Sequence, residues 1–302
     1  MTGPVLAPGS RRGAELMEAA VRGRSLWEDA RRRLMRNRAA VTGMIVLAAL
    51  VVLAVIGPML LPYRYDEINK ADVWAQPLTA GHILGADELG RDLLARQLMG
   101  LRVSLAIGFV ATFVSLVIGV AWGAVAGFVG GVVDEAMMRI VDVLYSLPFI
   151  FFVILLMVTF GSNIILIFVA IGAVEWLTMS RIVRGQTLAL KQKEFVEAAR
   201  AAGLTQGAII VRHIIPNLLG PVVVYVTLTI PAVILSESFL SFLGLGVQPP
   251  MASLGTLIAG GAQDMELAWW LLVFPSVTMV GTLMCFNFIG DGLRDAIDPK
   301  DR

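Results

Sequence analysis

Val103–Phe128, VSLAIGFVATFVSLVIGVAWGAVAGF, carries no ionisable side chain from end to end. A hydrocarbon core about 30 Å thick takes about 20 apolar residues as helix, so this stretch alone commits the chain to a membrane. On either side of it five more runs qualify: Ala39–Leu61, Arg139–Phe160, Ile164–Ile182, Asn217–Leu243 and Ala268–Ile289. Asp142 and Pro148 interrupt the third of the six. Pro221 and Pro231 lie in the fifth, where neighbouring helices must re-satisfy the freed carbonyls. The composition agrees, with 57% of the 302 residues hydrophobic and 16% charged, against about 45–50% and 25% in soluble domains. One core cannot hide that much apolar surface from water. A net charge of +1 offers no field for gathering nucleic acid, and a single cysteine, Cys285, excludes a disulfide framework. The expected fold is an all-α integral membrane bundle of six transmembrane helices.

Orientation follows the basic residues, which stay on the cytoplasmic side. Arg11, Arg12, Arg22, Arg24, Arg31, Arg32, Arg33, Arg36 and Arg38 precede the first span. Arg184, Lys191, Lys193, Arg200 and Arg212 lie between the fourth and fifth, and Arg294, Lys300 and Arg302 follow the sixth. Pro62–Gly100 sets only Arg64, Lys70, Arg91 and Arg96 against Asp66, Glu67, Asp72, Asp87, Glu88 and Asp92, while Gly244–Leu267 has no basic residue. Both termini are therefore expected in the cytoplasm and those two loops outside. Residues 1–38 form a basic cytoplasmic tail and 39–302 the membrane domain. From Ala14 to Arg38 the tail sets Leu16, Met17, Val21, Trp27 and Leu34 among arginines, a pattern that suits either a helix lying on anionic lipid or a solvated topology signal.

The chain carries no ATP-binding signature of its own. No glycine is followed by lysine, so no phosphate-binding loop exists, and His82 and His213 lie on opposite sides of the membrane. No catalytic, cofactor-binding or metal-ligating residue is expected. Asp142, Glu175 and Glu237 fall inside spans, where a charge costs about 2.5 kcal/mol or more at the bilayer centre. Asp142 and Glu175 stand within a few residues of Arg139 and Arg181 respectively, so pairing inside the bundle is one reading. A relay in an ion-coupled secondary transporter is the other. Glu175, Glu237 and Asn287 are the candidate polar groups along a pore.

Lys191–Pro216 reads KQKEFVEAARAAGLTQGAIIVRHIIP. Gln192–Ala202 is rich in helix formers, with Phe195, Ala198, Ala199 and Ala202 expected on one side. Gly203 stands where a helix ends at positive φ. A second short helix from about Thr205 to His213 should then stop at Pro216 before the fifth span begins. The product is a compact cytoplasmic knob with a face of small residues.

Glu197-Ala198-Ala199, Gly203 and Ile215-Pro216 resemble the EAA loop of permease subunits in bacterial ABC importers, with His213 at a position where peptide importers often carry histidine. Gly85-Ala86-Asp87-Glu88-Leu89-Gly90-Arg91-Asp92 looks like the GTDELGRD element of the dipeptide, oligopeptide and nickel permeases, with Ala86 replacing threonine. Ser241–Pro250 (SFLGLGVQPP) and Asn287–Asp295 (NFIGDGLRD) are similar to two further elements of that family, although Leu254 stands where tryptophan is frequent. Arg24-Ser25-Leu26-Trp27 and Asp298–Arg302 are most similar to the C subunit of oligopeptide permeases. The resemblance implies the type I ABC importer permease fold in the bacterial inner membrane. It also implies a second homologous permease, two cytoplasmic ATPase subunits that bind ATP and Mg, and an extracytoplasmic peptide-binding protein. The expected role is half of the translocation pore for oligopeptides, with dipeptides, glutathione or nickel as alternatives. Phe195, Glu197, Ala198, Ala199, Gly203, His213 and Pro216 would couple the spans to the ATPase.

Overall fold

The computed structural model describes residues 26–161 and 164–297. The tail before Leu26 and the closing Asp298–Arg302 lie outside the described residues. The described residues form helices α1 (Leu26–Arg36), α2 (Arg38–Leu60), α3 (Leu93–Val129), α4 (Gly131–Ser146), α5 (Phe149–Phe160) and α6 (Ile164–Leu190). They continue as α7 (Glu194–Ala201), α8 (Gln206–Ile209), α9 (Ile215–Phe242), α10 (Leu254–Gln263) and α11 (Trp270–Ile297). α2, α3, α6, the continuous run Gln206–Phe242 and α11 are long and apolar enough to cross a membrane, and α4 with α5, bent by 81° at the break between them, counts as a sixth where the pair crosses as one span.

α3 is the axis of the bundle. Gly119, Gly123 and Gly127 recur every fourth residue along it, and a Cβ on any of them would lie within 3 Å of α6 at Met179, Ser180, Val183, Arg184 or Thr187. Without a hydrophobic drive inside lipid, such small-residue seams hold helices together by close backbone approach. On its outer half α3 steadies a flaw in α2. Pro58 has no N–H to give the Ala54 carbonyl four residues earlier, and Arg102 donates to that carbonyl instead at 2.9 and 3.1 Å. α1 rests on the cytoplasmic end of α11, where Gly292 brings Leu34 and Ala40 close. The described part of the tail therefore rests on a protein surface.

Three expectations need correction. α3 starts at Leu93, not Val103, because the Asp92 side chain caps it by accepting from Ala95 N at 2.7 Å. The third span starts at Gly131, breaks at Leu147–Pro148 and resumes as α5, since proline cannot continue the hydrogen-bond ladder. Pro216 does not stop the helix that precedes α9. Ile210–Ile214 forms a π turn, with Ile215 N–H bonded to the Ile210 carbonyl, and the helix runs through it from Gln206 to Phe242. The wider turn absorbs the missing proline donor without a break.

The outer loop folds into a cap over the mouth of the bundle. Asp87 Oδ1 accepts from Leu89 N and Arg91 N, both at 2.9 Å, and its Oδ2 accepts from Arg91 Nε at 2.7 Å. Asp92 Oδ2 meets His82 Nδ1 at 2.7 Å while its other oxygen caps α3, and His82 Nε2 lies 3.3 Å from Asp72. Gly90, at φ 73°, passes so close to the Asn69 carbonyl that no side chain fits there. The 85–92 element thus closes on itself and anchors the cap to the head of α3. Beneath it, Glu237 of α9 accepts from Ser241 and Ser253 at 2.6 Å and from Ser104 at 3.4 Å, and Ser104 Oγ accepts from Leu254 N at 3.0 Å. This knot ties α3, α9 and the capping box of α10 together.

Candidate functional site

The cytoplasmic loop between α6 and α9 is built as a bolt with one bare end. α7 ends in a six-residue closing motif, with Leu204 N bonded to the Ala199 carbonyl at 3.2 Å and Gly203 N to Arg200 at 2.9 Å. The motif needs a left-handed residue, and Gly203 supplies it at φ 78°. Thr205 then caps α8 by accepting from Ala208 N. The two helices turn Val196 and Ala199 downward with Ile209, Ile210 and Ile214 into an apolar cluster formed with Ala124 and Phe128 of α3 and Met179 and Val183 of α6. Val196 and Ile214 are completely buried. Lys191 Nζ and the Arg200 guanidinium stand 5.8 and 5.3 Å from the Phe128 ring centroid, which adds cation–π attraction at the rim. The loop is therefore continuous in packing with the ends of α3 and α6, and continuous in backbone with α9.

What it turns away from the bundle is small and unpartnered by the described residues. Phe195, Glu197, Ala198, Ala201 and Ala202 are exposed, and nothing lies within 4 Å of where a Cβ on Gly203 would be. Ala199 is the exception among the expected contact residues. At 7% exposure it belongs to the inner face, because i and i+3 share a side of a helix and it stands three residues from Val196. His213 is half-buried on the π turn, where its carbonyl accepts from Asn217 Nδ2 at 2.6 Å, and Pro216 is exposed just beyond. A helix so slim on its outer side, capped sharply and seated on apolar anchors, can enter a cleft and pass a push to three spans.

The intramembrane polar residues scatter. Glu237 is 0% exposed and engaged with three serines, so it opens onto no surface of this chain. Glu175 is half-buried on α6 and Asn287 is exposed on α11. Charge pairing does occur, and Asp142 and Asp134 find their arginines across helices. Asp142 bonds Arg181 at 2.8 Å and Asp134 binds Arg184 through two bonds at 2.5 and 2.6 Å. Asp134, Gly119–Gly127 and Arg102 belong to no motif of the sequence. The four-residue glycine spacing was visible there, whereas the arginine partners depend on how helices pack.

Two distant sequence elements converge on the outer face. Asp87, Glu88 and Arg91 of the cap, with Ser241 at the end of α9 and Gly244 and Val247–Pro249 beyond it, line one cleft of about 300 Å³. Gly244, at φ 77°, closes α9 with the same motif that ends α7, Leu245 N bonding the Leu240 carbonyl at 2.9 Å.

Comparison with known proteins adds to this geometry. The family model for the binding-protein-dependent transport system inner membrane component matches residues 115–302, and that for the N-terminal TM domain of oligopeptide transport permease C matches residues 25–77. The oligopeptide transport system permease protein OppC of Haemophilus influenzae is 54% identical over 286 residues, covering 94% of this chain and 92% of that one. The dipeptide transport system permease protein DppC of Bacillus subtilis is 45% identical over 279 residues, covering 92% of this chain and 87% of its own length. A solved inward-facing structure of the MetNI methionine ABC transporter shares the fold, with a TM-score of 0.54 at 22% identity, over 68% of this chain and 96% of the other.

Proposed function

The chain belongs to the family of binding-protein-dependent transport system inner membrane components, and from that premise we propose that it forms half of the pore through which an ATP-driven importer moves oligopeptides. It is a multi-pass inner-membrane permease subunit with the type I importer fold. Its counterpart in the pore is a second, homologous permease. ATP and Mg are bound and hydrolysed by two cytoplasmic ATPase subunits, and an extracytoplasmic peptide-binding protein delivers the cargo to the outer face.

The observation that carries this reading is the 191–216 loop. Its inner side is locked into the bundle by Val196, Ala199 and Ile214, and its outer side offers Phe195, Ala198 and Ala202 with Glu197 beside them. An aromatic anchor among small residues fits the pattern of an interface hot spot, and Glu197 is free to accept charge-assisted bonds from a cleft. An ion-coupled transporter would need titratable groups strung across the membrane. Here Asp142 is held by Arg181 and Glu237 by serines.

The test is purification in detergent with the subunits co-expressed. The wild-type chain should bring down both ATPase subunits, and their hydrolysis should rise when peptide-loaded binding protein is added. Ala198→Trp should insert at wild-type level but lose the ATPase chains. Uptake by the chain alone, driven by an ion gradient, would overturn the proposal. Ligands released from the copurified binding protein and identified by mass spectrometry decide between oligopeptides and the dipeptides carried by the Bacillus subtilis relative's system.

A further inference from the structure

The cleft on the outer face is lined by a guanidinium with too few partners. Arg96, in the first turn of α3, is 8% exposed, and its Nε makes no hydrogen bond among the described residues. One terminal nitrogen, Nη1, reaches the Tyr65 carbonyl at 3.4 Å, and Nε stands 3.3 Å from Asp87 Oδ2. That carboxylate is already engaged, since it accepts from Leu89 N, Arg91 N and Arg91 Nε. One acid thus answers two guanidiniums. A buried cation short of acceptors is costly, and an acceptor brought to it from outside relieves that cost.

The walls around Arg96 leave room for such a group. A Cβ on Gly244, just beyond α9, or on Gly260 of α10 would meet nothing within 4 Å. Below, the cleft closes: Leu93, Leu257 and Leu271 are buried, and Ser241 on its lining donates to Glu237, itself 0% exposed. It ends blind in this chain, as a socket does and a passage does not. A volume of about 300 Å³ lies at the small end of ligand pockets, which run to about 1,000 Å³, so it takes a side chain or two and not an oligopeptide. The surrounding charge narrows the occupant further. Pro62–Gly100 sets six acids against four bases, Gly244–Leu267 adds Asp264 and Glu266 with no base, and Glu88 and Asp264 stand on the lining itself. Such a field turns free anions away. A carboxylate reaches Arg96 when it is fixed to a surface whose other groups are basic.

We propose that the cleft is a socket for an acidic side chain projecting from the extracytoplasmic binding protein, with Arg96 as its charge-assisted donor and with Glu88 and Asp264 facing basic groups on the surface around that side chain. This rests on the importer reading and adds where, and by what chemistry, the cargo carrier engages this subunit. Arginine suits the contact because its planar fork can pair a carboxylate through two parallel bonds. A buried charge at the centre with charges of the other sign around it fixes the register of docking as well as its strength.

The experiment uses the whole transporter in lipid nanodiscs, with ATP hydrolysis followed as peptide-loaded binding protein is titrated in. Arg96→Gln and Gly260→Phe should each raise the concentration needed for half-maximal stimulation roughly tenfold, as for loss of one charge-assisted hydrogen bond. Arg96→Lys, which keeps the charge, should recover part of that loss. The ATPase chains should copurify with every variant. Gly260→Phe fills the cleft from a position with free space, so it decides the matter even where Arg96→Gln fails to assemble. A half-maximal concentration equal to wild type in Gly260→Phe overturns the proposal. So does an Arg96→Gln defect that disappears when the peptide is C-terminally amidated, because the carboxylate would then belong to the cargo. A wild-type transporter that ignores the binding protein sinks the importer reading, whereas a wild-type response that both variants share sinks the socket alone.

Discussion

The 62–92 cap outside and the 191–216 loop inside both connect spans, yet they are finished in opposite ways. The cap buries three of its polar groups. Asp87, His82 and Asp92 use their side chains on the cap's own backbone and on each other. The inner loop sends Val196, Ala199, Ile209, Ile210 and Ile214 into the bundle and leaves Ala198, Ala201 and Ala202 outside with Phe195. A segment whose hydrogen bonds close on themselves is complete as it stands, whereas a seated helix with a bare alanine face is complete only against another surface. Stability should therefore be concentrated in polar ties outside and in apolar seating inside, with function on the surface the seating leaves bare.

The largest effect is expected at the knot beneath the cap. Glu237→Ala strands Ser104, Ser241 and Ser253 in a closed site, and the loss should reach about 3 kcal/mol, since each unsatisfied buried group costs about 1–3 kcal/mol. It would be read as a lower unfolding midpoint in detergent and less assembled transporter. Normal assembly with lost uptake would instead make Glu237 a pore residue.

Next comes the two-sided alanine pair. Ala199→Trp overfills the cluster around Val196 and Phe128 and should destabilise the chain by about 1–3 kcal/mol. Ala198→Trp, one residue away and exposed, should leave membrane levels intact and release the ATPase subunits. If the two behave alike, the division into inner and outer faces is wrong. His82→Phe keeps the stacking partner of Tyr63, at 4.6 Å between centroids, but loses the bonds to Asp92 and Asp72. A cost of about 1–2 kcal/mol is expected, with ATP coupling unchanged, because the cap does not touch the loop. The smallest effect is at Gly203. Ala meets no clash there but inherits φ 78°, so the cost should be about 1 kcal/mol, and Asn, which tolerates that region, should cost less. Equal stability of Gly203→Ala and wild type would mean that the closing turn of α7 is not held in this conformation.

Much of this was legible in the residues. Apolar runs gave the membrane and all but the ends of the spans, arginine placement gave the expected orientation, and the EAA loop gave the family. Helix ends were less legible because they depend on side chains. Asp92 carries α3 ten residues beyond its apolar run, and the π turn at Ile210–Ile214 lets Pro216 pass without a break.

Residue pattern by itself determined which segments are apolar enough to enter the bilayer, because the transfer of apolar residues into hydrocarbon is a local property. It also determined that Gly203 ends α7, because only glycine adopts that φ freely. Tertiary structure decided which side of α7 each alanine occupies, and which arginine answers each acid. Asp142 pairs with Arg181 on another helix, not with Arg139 three residues away, and Glu237 disappears into serines from α3, the end of α9 and the cap of α10. Electrostatic and hydrogen-bond partners are chosen by distance in space, and in a bundle that distance is set by where glycine seams such as Gly119–Gly123–Gly127 let two helices meet.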